Sequence, residues 1–84
     1  MVKGRVQGVN FRRHVKGVAD HMNILGQVRN LADGSVEFIA EGEEETLRDF
    51  ITDLMASGPP IRVDDIQVRW SEPKGEFSGF DIIR

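Results

Sequence analysis

Over the first seven residues the apolar positions Val2, Gly4 and Val6 alternate with Lys3, Arg5 and Gln7, the period of a half-buried strand. At Phe11 the period changes. Phe11, Val15, Val18, Ala19 and Met22 fall along one stripe of a helix. Gly17 within it costs about 1 kcal/mol relative to alanine, so the stripe carries the assignment. A second strand is predicted from Ile24 to Asn30, with Ile24, Gly26, Val28 and Asn30 on one face. Asp33-Gly34 then marks a hairpin turn, followed by a strand from Ser35 to Glu41 with Val36, Phe38 and Ala40 on one face. Three glutamates, Glu43 to Glu45, suit the positive end of a helix dipole and open a second helix whose stripe is Leu47, Phe50, Ile51 and Leu54. Gly58-Pro59-Pro60 stops it. A fourth strand runs from Val63 through Ile66 and Val68 to Trp70, and its parity shift across Asp64-Asp65 predicts a bulge. Phe80 and Ile82 mark a short last strand.

The order is β-α-β-β-α-β with a terminal strand. One mainly antiparallel sheet with both helices on one face buries both stripes through short connections, an α+β sandwich of the ferredoxin-like kind. Eighty-four residues allow one domain, taken here as 1–84. No repeat, low-complexity tract or linker interrupts it. In this topology the first loop and the end of the second strand are able to lie side by side, with Arg12 and Asn30 facing one pocket.

Composition narrows the function. Zero cysteines exclude disulfides and thiolate metal sites. No segment is apolar enough to span a membrane, and the chain opens with no charged-then-apolar leader; a cytoplasmic location is the expectation. The net charge of −3 hides an asymmetry. Residues 1–30 carry six basic side chains (Lys3, Arg5, Arg12, Arg13, Lys16, Arg29) and one acid, Asp20, whereas residues 31–84 carry five basic and thirteen acidic ones. One basic corner on an acidic body suits steering of a small anion rather than nucleic acid, which wants a basic face.

That corner coincides with Gln7-Gly8-Val9-Asn10-Phe11-Arg12, where the strand pattern breaks and the helix begins. Opening N–H groups of a helix lack intrahelical partners, and the dipole adds positive potential, so anions bind there. Arginine contributes a planar fork of donors suited to phosphate oxygens. Each residue also has a plainer role. Arg12 alone reads as a surface charge, Asn30 as a shaper of the hairpin beside Asp33-Gly34, Gly8 as a turn residue, and Arg29 as a solvated strand position. His14 and His21 are seven apart, about 10 Å along a helix, too far to share a metal; they read as boundary residues. Glu43–Glu45 and Asp64-Asp65 read as helix-start and turn residues, and Trp70 and the phenylalanines as core.

Taken together, Gly4-Arg5-Val6-Gln7-Gly8-Val9-x-Phe11-Arg12 and Gly26-x-Val28-Arg29-Asn30-x-x-Asp33-Gly34-x-Val36-Glu37 closely resemble the acylphosphatase family. The Gly58-Pro59-Pro60 break and the Phe80 strand match as well, so the resemblance covers essentially the whole chain. It implies the same sandwich and hydrolysis of acyl phosphates to carboxylate and inorganic phosphate, without metal or cofactor. By position, Arg12 corresponds to the phosphate-binding catalytic arginine and Asn30 to the asparagine that orients the attacking water. The backbone of Gln7, Gly8, Val9, Asn10 and Phe11 corresponds to the phosphate cradle. The implied ligands are a small acyl phosphate and phosphate as product and competitive inhibitor, with no nucleic acid or membrane partner and a monomeric state. Two positions depart from the family. Asn10 stands where glycine is frequent, and asparagine tolerates left-handed backbone; Gln27 stands where a bulky aromatic is frequent. The first strand is short, which removes some pairing. Other readings are an accessory domain that keeps the pocket without turnover, as in larger carbamoyl-group maturation enzymes, and an RNA-binding sandwich. The latter needs exposed aromatics on the central strands, where this chain offers Lys3, Arg5, Gln27 and Arg29. A metal-carrier domain would want paired cysteines.

Overall fold

Both helical stripes are covered by the same face of one sheet. The computed structural model describes residues 1–71 and 74–83. It contains β1 (Val2–Arg5), α1 (Phe11–His21), β2 (Leu25–Asn30), β3 (Val36–Glu41), α2 (Glu44–Met55), β4 (Arg62–Ile66) and β5 (Phe80–Ile83). The sheet order is β4-β1-β3-β2-β5. Its ladders are antiparallel except β2 with β5, which is parallel. The core joins Val2, Val28, Val36 and Phe80 of the sheet to Phe11, Val15 and Ala19 of α1 and Phe50 and Leu54 of α2. Phe50 is its hub, meeting Phe38 edge-on at 5.5 Å and Phe80 at 6.3 Å between ring centroids, the geometry aromatic quadrupoles prefer. His14 and the segment after α2 are joined by a 3.0 Å contact between His14 Nε2 and Ser57 Oγ, so His14 sits at the boundary as expected.

Element boundaries agree with the hydrophobic pattern within a residue except at the first and fourth strands. β1 ends at Arg5, and β4 ends at Ile66 instead of reaching Trp70. The cause is register. Val2 faces Ile66, and the Met1 amino group and carbonyl bond Gln67 O at 3.0 Å and Gln67 N at 2.9 Å. Beyond that point the line of β4 has no neighbouring strand among the described residues. Val68 and Trp70, expected in the core, are therefore each 46% exposed, and the Trp70 ring lies under the Arg48 guanidinium at 5.1 Å. The bulge falls where parity placed it: Lys3 pairs Asp65 and Gly4 pairs Val63, leaving Asp64 as the extra residue on β4.

The β2–β3 connection is fixed by its own polar groups. Leu31 N donates to Ser35 O at 2.9 Å, and Gly34 N to Leu31 O at 3.2 Å. The Asp33 carboxylate accepts from Ser35 N at 3.0 Å and from the Ser35 hydroxyl. The hydroxyl first, and then the amide, hold the Asp33 pKa below its ordinary value. A carboxyl depressed in the folded state stabilises at pH above its unfolded value, about 3.9, and that contribution disappears as pH falls through the lower folded value. Urea unfolding as a function of pH should show this loss below about pH 4, and Ser35→Ala should flatten it.

Two glycines respond oppositely to one added methyl. Gly26 is buried at φ +149°, and a Cβ there would lie 1.8 Å from Ile39 O across the ladder. Gly17 lies mid-helix, exposed, with nothing within 4 Å. Gly17→Ala should stabilise by about 0.5–1 kcal/mol. Gly26→Ala should destabilise by at least about 2 kcal/mol, because backbone must move. Paired thermal or urea denaturation curves measure both.

Candidate active site

The connection from β1 to α1 is built on two left-handed residues. Gly8 has φ +74° and Asn10 φ +61°. An added Cβ at Gly8 would meet nothing within 4 Å, so glycine is favoured there by backbone conformation and not by space. Asn10 is the N-cap of α1, yet its left-handed backbone gives no side-chain cap bond. An ordinary N-cap has extended backbone and folds its side chain over the opening amides. Here the amides at the start of α1 are left open to an outside acceptor. Asn10 still starts the helix through its carbonyl, which accepts from His14 N at 3.0 Å.

These residues form one wall of a small cavity of about 170 Å³. Val6, Gly8, Asn10, Phe11, Arg12 and Arg13 line it from the loop and α1, Asn30 from the end of β2, and Ile82 from β5. Arg12, in the first turn of α1, is half-buried, and its Nη1 lies 3.5 Å from the carbonyl of Ile83, a long and weak contact that leaves most of the fork free. Parallel pairing sets Ile83 beside Arg29. The carbonyl that Arg12 approaches is therefore next to the strand end that presents Asn30. Arg12 and Asn30, 18 positions apart in sequence, line one concavity.

The other expected loop residues divide. Gly8, Asn10 and Phe11 line the cavity, whereas Gln7 and Val9 do not. Val9 packs against the core. The Gln7 side chain turns to the β2–β3 turn, donating through Nε2 to Leu31 O at 2.7 Å and Ser35 O at 2.9 Å. One carboxamide thus ties the loop to the turn that follows Asn30. Sequence reasoning missed three lining residues: Val6, Arg13 and Ile82. Arg13 had a signal, as a second cation in the helix's first turn. Val6 had a weaker one as the last residue of the strand pattern, and Ile82 had none, since its place depends on which strand β5 joins.

The electrostatics favour an anion. Arg12 and Arg13 line the cavity, and no carboxylate does among the described residues. Two other cations of the basic corner are paired, Lys16 with Asp20 at 3.0 Å and Arg29 with Glu37 at 2.9 Å. Among the described residues no group of three His, Asp or Glu side chains is placed to hold a metal ion, and no helix is long and apolar enough to cross a membrane.

The chain matches a family model described as Acylphosphatase over residues 1–82. It is 42% identical over 82 residues to an acylphosphatase of Roseiflexus sp. (strain RS-1), covering 98% of this chain and 88% of that relative. Its fold superposes on the crystal structure of acylphosphatase from Bacillus subtilis with a TM-score of 0.93, at 40% identity, over 99% of this chain and 92% of that one. It also superposes on T. kodakarensis HypF with a TM-score of 0.84 at 38% identity, over 99% of this chain but only 11% of that much longer one. A full-length match at this identity, on a fold whose left-handed loop brings Arg12 and Asn30 to one cavity, places the protein in the acylphosphatase family.

Proposed function

We propose that the protein hydrolyses acyl phosphates to a carboxylate and inorganic phosphate in the cavity between the β1–α1 loop and the end of β2, as a single-domain, monomeric, cytoplasmic enzyme that needs no metal. The observation that carries this reading is the shared concavity of Arg12, Asn30 and the left-handed Gly8–Asn10 loop. The phosphate of the substrate lies against the open amides of the loop and the start of α1, with the Arg12 fork on its equatorial oxygens. Donors aimed at these oxygens stabilise the charge that spreads over them as phosphorus transfers.

The leaving group explains the sparse chemistry. A carboxylate departs readily, so no general acid is required, and among the described residues no carboxyl or imidazole lines the cavity. The demand is to bring a water in line with the departing oxygen. Asn30 supplies a neutral carboxamide that accepts a hydrogen bond from that water and holds its lone pair toward phosphorus. The new P–O bond forms from the water oxygen while the bond from phosphorus to the acyl oxygen breaks, and its electron pair leaves on the carboxylate. The carboxamide is too weak a base to take the water's proton, which passes to a phosphate oxygen. The phosphate produced fits the same donors and competes with substrate.

The match to a short stretch of HypF supports a second reading, in which this fold serves as a phosphate-binding module of a larger assembly without its own turnover. A phosphate-binding chain that leaves a synthetic acyl phosphate intact would select it.

With benzoyl phosphate as substrate and a chelator present, the wild type should turn over at an undiminished rate. Arg12→Ala removes a charged donor worth roughly 2.7–4 kcal/mol, and kcat should fall by about 10² to 10³-fold, with inhibition by phosphate lost. Asn30→Ala should lower kcat by a similar order while phosphate inhibition and thermal stability stay near wild type, since Asn30 is exposed and its role is with water. Undiminished turnover in Asn30→Ala refutes the water-orienting role. Gln7→Ala, which frees the loop from the turn, should weaken phosphate binding and lower the melting temperature together.

A further inference from the structure

The cavity encloses only part of the substrate proposed for it. Its volume is about 170 Å³, below the roughly 300–1,000 Å³ of sites that surround a whole small ligand. Its floor is Val6 and Phe11, both buried, with the half-buried Arg12 and Ile82. Its rim is exposed and consists of Gly8, Asn10, Arg13 and Asn30. With the phosphate held at the floor, the acyl half crosses this rim. Gly8 has no side chain to meet it, and Asn30 is engaged with the attacking water. In-line displacement sets the departing oxygen on the side of phosphorus away from that water. Asn10 and Arg13 are the rim side chains left for the acyl group to pass.

Both side chains are uncommitted. Asn10 is held left-handed and makes no side-chain cap bond. Lys16, Arg29, Arg48 and Arg62 each reach a carboxylate, whereas Arg13 enters no ion pair among the described residues. Helix geometry also separates it from Arg12, since successive residues are about 100° apart around the axis. Phe11 and Val15 face the core. One position on, Arg12 and Lys16 reach the β5 carbonyls of Ile83 and Phe80. One further on, Arg13 and Gly17 are exposed on the outer side of α1. Helical side chains lean toward the helix N-terminus, so Arg13 overhangs the cavity mouth instead of entering beside Arg12. It is a second guanidinium outside the donors that hold the phosphate, and no carboxylate lines the cavity among the described residues to neutralise it.

We propose that Arg13 and Asn10 determine specificity at the rim, selecting acyl phosphates whose acyl half ends in a second carboxylate, a selectivity that rests on hydrolysis of acyl phosphates in this cavity. The substrate class is the mono-acyl phosphates of short dicarboxylic acids. The Arg13 fork matches the distal carboxylate, and the Asn10 carboxamide donates to it through its NH2. An apolar acyl group gains nothing from either side chain. Because Arg13 is exposed, the preference is that of a solvated ion pair, about fivefold in kcat/KM, and it fades as salt is added.

The test assays the intact protein with fumaroyl phosphate and crotonoyl phosphate. The first carries a carboxylate where the second carries a methyl, and the trans double bond keeps that carboxylate from attacking its own acyl carbon. At low ionic strength kcat/KM should favour fumaroyl phosphate by about fivefold, mainly through KM, and molar potassium chloride should erase the difference. Arg13→Gln should bring the ratio to near unity, Arg13→Lys should keep part of it, and Asn10→Gly, which suits the left-handed backbone, should lower it. A ratio near unity in the wild type, or one that Arg13→Gln leaves in place, overturns the proposal. Failure to cleave either compound would count against hydrolysis itself, and binding then decides the selectivity. The phosphonates in which methylene replaces the bridging oxygen of succinyl phosphate and butyryl phosphate meet the same donors uncleaved. The carboxylated one should bind about fivefold tighter to the wild type and no tighter to Arg13→Gln; equal affinity for the wild type overturns the proposal.

Discussion

The burial of β1 between β3 and β4 is the constraint on which the rest of the molecule depends. Val2 is wholly buried at the meeting point of three strands, and the four residues of β1 aim everything that follows. The loop with its two left-handed residues, the first turn of α1 and the Gln7 carboxamide leave from its C-terminal end. A strand this short has few ladder bonds, so the Gln7 tie to Leu31 and Ser35 is more than decoration: it links the loop to the neighbouring hairpin by side-chain donors where ladder pairing has run out.

The proposed chemistry asks little of its residues because the leaving group is good. Backbone amides have no titration near neutral pH, and a guanidinium keeps its charge throughout. On the proposed reading the reaction needs no proton donor, and its chemistry rests on aim. The aim comes from stiff elements: a helix start, a strand end and a turn stapled by Asp33 and Ser35. The surrounding ion pairs, Lys16–Asp20 and Arg29–Glu37, are solvent-exposed and contribute little to stability. They pair two of the cations of the basic corner, Lys16 and Arg29, and neither of these lines the cavity.

Much of this was legible in the residues. The change of period at Phe11, the Asp33-Gly34 turn and the acidic start of α2 located the elements within a residue, and the parity slip at Asp64-Asp65 located the bulge. That Arg12 and Asn30 could face one pocket was legible from the element order and the fold class it implies, and both line one cavity. Two kinds of information were not. Where a strand ends depends on the reach of its neighbour: Val68 and Trp70 alternate as strand residues should, but no strand pairs with them among the described residues. What a side chain does depends on a register no local pattern encodes, which is why Gln7 was read for its backbone although its amide group makes the tie, and why Ile82 was read as a strand residue and not as part of the cavity.

Arg12 lies against the carbonyl of Ile83, 71 positions along the chain, and Ile82 lines the same cavity. Local contacts suffice for the loop and the helix start, but the cavity that Arg12 and Asn30 share exists only after the parallel β2–β5 ladder has closed, and non-local parallel pairing is intrinsically slow. During synthesis the β1–α1 loop therefore emerges early, and its cavity stays incomplete until β5 has left the ribosome. Any ligand that occupies the cavity adds its binding free energy to holding the β1–α1 loop against β5.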